Sequence, residues 1–206
     1  MRPTPGAAPA APAPSGWIPM RLFLGACLLI GLAVPVRAEP AGERLAPCLA
    51  CHGATGRSET EGVPSLGGMP ADYVLTQLYL FRERQRVAAP MNEMAAGLSD
   101  DDLRTVSDAV AALPAPVAEA GTADPAREAA AQAIVAKHQC ASCHNADFSG
   151  HDQIPRIRAQ REEYLAAALR GYKSNARAGY DPAMNEVAQP LGDDEIGTLA
   201  WYLARR

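Results

Sequence analysis

Cys48-Leu-Ala-Cys51-His52 and Cys140-Ala-Ser-Cys143-His144 repeat one five-residue pattern at a spacing of 92. Two cysteines and a histidine in the same order, twice, require the chain to build the same local geometry twice. Self-similarity at a fixed offset is the signature of a duplicated unit. The repeat extends well past the motif. Pro64-Ser65-Leu66 matches Pro155-Arg156-Ile157, and Tyr73, Leu78 and Arg86 match Tyr164, Leu169 and Arg177, both at an offset of 91. Pro90-Met91-Asn92-Glu93 matches Ala183-Met184-Asn185-Glu186, and Leu98-Ser99-Asp100-Asp101 matches Leu191-Gly192-Asp193-Asp194, both at 93. Offsets that drift by one residue are what short loop insertions between equivalent elements produce.

The joint between the copies is legible. The stretch 113–125 holds three prolines and a glycine without an apolar period, and each proline disfavours helix at its own and the preceding position. This places one copy at 39–116 and the other at 117–206. Within each copy the pattern is helical. Ser99 with Asp102 is a capping pair opening a helix whose Leu103, Val106 and Val110 share a face, and Gly192, Glu195, Ile196, Leu199 and Leu203 repeat it. Residues 71–86 and 161–173 form a second pair, and 126–144 reads as one helix ending on the second cysteine motif. Gly53 and Asn145, which follow the two histidines, are types that tolerate the left-handed conformation ending a helix. No segment shows sustained strand alternation, so the expected class is all-α, two tandem domains of about four helices each.

The first forty residues read as a targeting segment. Residues 1–16 are rich in Pro and Ala; Met20-Arg21, an apolar run over 22–34 and a small-residue site at Val36-Arg37-Ala38 follow in the order of a cleavable secretory signal. Met20 would itself serve as a start. Cleavage after Ala38 leaves 168 residues and removes Cys27, the odd one of five cysteines. The expectation is an exported protein of the periplasm, with peripheral attachment to a membrane left open. Without Arg2, Arg21 and Arg37 the side-chain charge is −7. An acidic chain of this kind is no candidate for nucleic-acid binding. The first copy, with 6 basic and 11 acidic residues, is more acidic than the second, with 10 and 12.

Three chemistries use two cysteines at this spacing. Cys-x-x-Cys-His is the attachment pattern of c-type haem: the thiols bond to the vinyl groups and the adjacent histidine addresses the iron. Paired Cys-x-x-Cys motifs also bind zinc, but about 15–20 residues apart rather than in separate repeats. Thioredoxin-like redox chemistry needs a strand–helix context that is missing here. Plain disulfides, normal in an oxidising compartment, leave the two histidines unexplained. Two covalent haems would also account for a sparse aromatic complement of 3 Phe, 6 Tyr and 2 Trp, because each supplies a large apolar plate to a domain too small to stabilise itself easily. Met91 and Met184 stand at equivalent loop positions about 40 residues after their motifs. A thioether there would close the sixth iron position and raise the reduction potential. Met94 competes with Met91, but its counterpart is Val187. His138 and His151 are weaker candidates in the second copy.

On these segments the chain resembles the two-haem class I cytochromes c of the cytochrome c4 family. The carrying stretches are PCLACHGATGRS, the Pro-x-Leu turn with the following Tyr helix, and PMNEMAAGLSDDDL, with their counterparts CASCHNADFSG, IPRIRAQ and AMNEVAQPLGDDEI. The resemblance implies two facing four-helix domains, two haem c groups held through Cys48, Cys51, Cys140 and Cys143, and iron ligation by His52 with Met91 and by His144 with Met184. Arg86 and Arg177 resemble positions near haem propionates. Asn145 departs from the family's glycine after the histidine, and Gly68-Met69 and Ala159-Gln160 depart from its Gly-Gln. The implied function is a periplasmic electron carrier rather than an enzyme. It would shuttle single electrons from a quinol-oxidising complex or dehydrogenase to a terminal oxidase or other acceptor, with redox proteins as partners and no small-molecule substrate. The alternatives are a dedicated haem subunit of a periplasmic dehydrogenase and a dihaem peroxidase.

Overall fold

The computed structural model describes residues 10–12, 41–118, 121, 123–177 and 181–206. The expected signal segment, 1–38, lies outside them apart from 10–12. Nine helices follow one another among the described residues: α1 (Ala41–His52), α2 (Ala71–Arg82), α3 (Met91–Ala95), α4 (Asp100–Ala111), α5 (Pro125–Lys137), α6 (Cys140–His144), α7 (Glu162–Lys173), α8 (Ala183–Ala188) and α9 (Asp193–Ala204). Among these residues there is no strand, only an isolated bridge between His151 and Ile154. No described helix is long and apolar enough to cross a membrane.

Helix packing respects the repeat. In the first copy α4 lies against α1 and α2, and α3 against α2; in the second α9 lies against α5 and α7, and α8 against α7. The α4 start is fixed by a capping box, in which Ser99 Oγ accepts from the Asp102 amide and Asp102 accepts from the Ser99 amide. That sets Leu103, Val106 and Val110 into a core with Leu45, Met69, Val74 and Leu78. Gly192 opens α9 through its amide, which donates to Glu195 Oε2 at 2.9 Å; Ile196, Leu199, Ala200 and Leu203 then point inward. Both cores are aliphatic, with Phe81, Phe148 and Tyr202 the buried aromatics among the described residues.

Two expectations about helix ends are corrected. The helix read over 126–144 is two helices, because Gln139 adopts φ +53° between them. Its counterpart at an offset of 92 is Pro47, inside an unbroken α1. Proline is locked near φ −65°, so a left-handed break is impossible there. The helix read over 71–86 stops four residues earlier, at Arg82, whereas the one read over 161–173 ends at Lys173 as expected. Arg84 and Asn175 take φ +54° and +58°. The amides of Arg86 and Arg177 then turn back to Leu80 O and Gly171 O, each at 3.0 Å.

The copies meet along a seam built mainly from the turns Pro64-Ser65-Leu66 and Pro155-Arg156-Ile157 and the residues just after them. Gln160, 3% exposed, reads the backbone of Ser65 in both directions: Oε1 accepts from its amide at 2.7 Å and Nε2 donates to its carbonyl at 2.9 Å. Arg156 Nε donates to Gly67 O at 3.1 Å, the Tyr73 amide to Asp152 O at 3.1 Å, and Thr76 Oγ1 to Gln153 Oε1 at 3.1 Å. Removing Gln160 would orphan a buried donor and a buried acceptor, each worth about 1–3 kcal/mol. Gln160→Ala is therefore expected to lower the urea midpoint of the protein by a margin well outside error, whereas Gln153→Ala, at an exposed position, should shift it little.

Candidate haem sites

Each cysteine motif delivers its histidine at the end of a helix, α1 or α6, into the interior. His52 and His144 are both 6% exposed. His52 Nδ1 donates to Pro64 O at 2.8 Å, and His144 Nδ1 donates to Pro155 O at 2.9 Å. A carbonyl only accepts, so the proton sits on Nδ1 and the lone pair on Nε2 is left for a metal. Burial pushes both imidazoles below their usual pKa, the carbonyl contact offsetting part of the effect; each is neutral and ready to ligate at physiological pH. The chain then turns away. Gly53 has φ +86°, and a Cβ there would sit 1.8 Å from Arg57 O. In the second copy Asn145 takes φ +68° instead. Its Nδ2 donates to Ser149 Oγ and Gly150 O, both at 3.0 Å, which ties down the loop that a glycine leaves to backbone freedom alone.

Cys48, Cys51, Cys140 and Cys143 are free thiols, Cys51 and Cys143 exposed and the other two half-buried. Burial pushes the thiols of Cys48 and Cys140 up. Among the described residues no three Cys, His, Asp or Glu side chains gather into a metal site. Paired thiols beside a buried neutral histidine with a free Nε2 fit a covalently held haem at both motifs.

On the opposite side of the sequence pattern, Met91 opens α3 and packs, half-buried, against the first core. Met94 is 45% exposed, so Met91 is the inward methionine of the pair. Met184 holds the matching place in α8, also half-buried. His138 caps α5 with Nε2 buried and unpartnered, and His151 lies exposed beside Asp152 at 3.1 Å. The asparagine after each methionine was missed as a functional residue. Asn92 Nδ2 donates to Phe81 O and Arg86 O, both at 2.8 Å, and its Oδ1 accepts from the Ala88 amide at 2.7 Å. Asn185 Nδ2 donates to Tyr172 O and Arg177 O, both at 3.0 Å. The two carbonyl partners correspond between the copies, Phe81 with Tyr172 and Arg86 with Arg177, so an equivalent clamp ties both methionine segments to the helix before them. The repeated Met-Asn-Glu triplet was its visible signal.

The family model for cytochrome c matches residues 128–205. A cytochrome c4 from Thiocapsa roseopersicina is 31% identical over 186 residues, covering 83% of this chain and 94% of the relative. A thiosulfate dehydrogenase electron acceptor from Stutzerimonas stutzeri is 31% identical over 168 residues, 76% of this chain and 77% of its own. The crystal structure of reduced recombinant cytochrome c4 from Pseudomonas stutzeri superposes with a TM-score of 0.73 at 27% identity, over 82% of this chain and 98% of that one. The chain belongs to the cytochrome c4 family. It is an electron carrier with redox proteins as partners, its cofactor is covalently bound haem c, and its helical architecture is that of a two-domain cytochrome c4.

Between the copies, this cytochrome brings Arg86 and Arg177 together. Arg177 donates to Tyr164 Oη and Tyr73 Oη, each at 3.1 Å, and lies over the Tyr172 ring at 4.7 Å. Arg86 donates to Gln77 Oε1 at 2.5 Å and Tyr164 Oη at 3.4 Å, and lies over Phe81 at 4.5 Å. Burial alone would push the Tyr164 phenol up, but Arg177 and then Arg86 outweigh it and bring it down to about 8. Burial pushes Tyr73 up. Two guanidiniums share one phenol with no carboxylate among the described residues. This donor set calls for anions, and the propionates of haem are carboxylates of the required kind.

The asparagine clamps carry an expectation. Asn92→Ala strips two buried carbonyls and one amide of their partners, at about 1–3 kcal/mol for each group left unsatisfied. It should lower the stability of the haem-loaded protein in chemical denaturation, and by more than Asn185→Ala, whose site is half-buried.

Proposed function

We propose that this cytochrome works in the periplasm as a two-haem relay, taking single electrons from a quinol-oxidising complex or a dehydrogenase and passing them to a terminal oxidase or another acceptor. Cys48 and Cys51 hold one haem and Cys140 and Cys143 the other through thioethers. His52 and Met91 ligate the first iron, His144 and Met184 the second, and Arg86 and Arg177 meet the propionates. When bound, haem c supplies reversible one-electron chemistry between ferrous and ferric iron. The chain's own residues make that exchange fast by moving little. The Pro64 and Pro155 carbonyls fix the ring planes of His52 and His144 and keep the proton on Nδ1. Asn92 and Asn185 hold the methionine segments against α2 and α7. If a histidine and a methionine of this chain both ligate each iron, no position would be left for substrate, which disfavours the peroxidase reading. The observation that carries the proposal is the duplication of the entire set: the same carbonyl behind each histidine and the same clamp beside each methionine.

A second reading, a dedicated electron-accepting partner of one dehydrogenase, is favoured by a specific observation. The relative from Stutzerimonas stutzeri is named as the electron acceptor of thiosulfate dehydrogenase. A greater excess of acidic residues in the first copy than in the second gives the two ends different electrostatic preferences, and the first would steer toward a basic surface.

One set of measurements tests the ligands and the partner. Met91→Ala and Met184→Ala are each expected to lose the methionine–iron charge-transfer band of one haem while keeping the other; retention of both bands in both variants would remove the assignment. The oxidised wild-type protein mixed with a thiosulfate dehydrogenase and thiosulfate should be reduced on the stopped-flow timescale. Co-elution of the two on gel filtration would favour the dedicated partner, and separate elution with fast reduction the mobile shuttle.

A further inference from the structure

Arg156 is the middle residue of the Pro155-Arg156-Ile157 turn and is 2% exposed. Its guanidinium is part of the seam between the copies. Nε donates to Gly67 O at 3.1 Å, Nη1 donates to Arg158 O, and Nη2 is buried with no partner. Among the described residues no carboxylate pairs with it. The charged group that acts on it is Arg158, itself a cation whose carboxylate partner is Asp147 at 3.2 Å. Burial, then Arg158, brings its pKa down to about 10, which still leaves it charged at neutral pH. The packing of the turn does not demand this charge, because the equivalent residue in the first copy is Ser65, 1% exposed and neutral.

The position is the informative part. Pro155, directly before Arg156, supplies the carbonyl that accepts from His144 Nδ1. Gly67, which Arg156 grips, lies three residues beyond Pro64, whose carbonyl accepts from His52 Nδ1. The guanidinium therefore lies between the two turns that hold the two proximal histidines. A buried charge acts through low-dielectric protein and is screened little by salt. Adding an electron next to a fixed positive charge is favoured over adding it in a neutral setting.

We propose that Arg156 is a potential-setting residue: its fixed charge, shared by the two proximal turns, holds both haem sites more readily reduced than a neutral seam would. This rests on the reading of His52 and His144 as the proximal iron ligands.

The test is an optical redox titration of the haem-loaded wild type, Arg156→Met and Arg156→Lys, each at low and at molar salt. Both midpoint potentials are expected to fall in Arg156→Met, by the same amount at either salt. Arg156→Lys, which keeps the charge and loses the forked hydrogen bonds, should stay close to wild type. Should Arg156→Met fail to incorporate two haems, Arg156→Gln is the neutral variant to compare with Lys. Unmoved midpoints in the neutral variant overturn the proposal. So does an equal fall in the neutral and Lys variants, which would make the hydrogen bonds responsible. Failure of the underlying reading looks different. The visible spectra of the haem-loaded His52→Ala and His144→Ala variants would then both match wild type, which overturns reading and proposal together; altered spectra in both with unmoved midpoints in the neutral Arg156 variant overturn the proposal alone.

Discussion

The hydrogen bond from each motif histidine, His52 or His144, to a proline carbonyl organises the rest of the molecule. It connects the end of a helix, α1 or α6, to a turn 11 or 12 residues later. That turn is the surface on which the other copy sits. The bond performs three tasks together: it chooses the tautomer, fixes the ring and locates the turn. Because the carbonyl belongs to the backbone, no side-chain substitution at Pro64 or Pro155 removes the acceptor itself, only its placement. The remaining features act on that placement. The positive-φ residue after each histidine reverses the chain so that the turn can come back, and Ser58, whose amide donates to Ser65 Oγ at 3.1 Å, braces the first turn from behind.

The two copies share a plan and differ where they touch. Gln160 reaches into the first copy with two hydrogen bonds, while the equivalent residue, Met69, is 4% exposed and belongs to its own core. Arg156 crosses the seam, while Ser65 stays within it. The junction is thus held mostly by side chains of the second copy that grip backbone of the first. The Arg–Tyr cluster instead draws evenly from both, with Tyr73 and Arg86 on one side and Tyr164 and Arg177 on the other. Symmetry persists where a prosthetic group has to be met twice, and fades where one surface need only fit the other.

Much of this was legible from the residues. The duplication, the helical class, the capped start of α4, the cysteine–histidine motifs and the paired methionines follow from spacing and residue type, since each depends on local periodicity or on a pattern occurring twice. What could not be read depends on contacts across long separations. Arg156 looks like an ordinary polar residue within a turn and Gln160 like one just after it, and nothing local announces that they will be buried against residues 89 and 95 positions away. Arg86 and Arg177 were visible as equivalent positions, but their convergence on a single tyrosine needed the seam. The break at Gln139 was missed because glutamine is a competent helix residue, and its left-handed conformation is imposed by the geometry that α6 must satisfy.

The contrast between Pro47 and Gln139 has a consequence for how the duplicated module has aged. Proline in the first copy forbids the left-handed backbone that the second copy requires at that place, and keeps the first haem-bearing helix in one piece. The halves are therefore no longer exchangeable segment by segment. A chimaera carrying 41–52 in place of 133–144 would set a proline where the chain must turn left-handed, and its cysteines would arrive on a helix aimed in the wrong direction. The ancestral unit survives as a shared blueprint, but its parts have become specific to their own half.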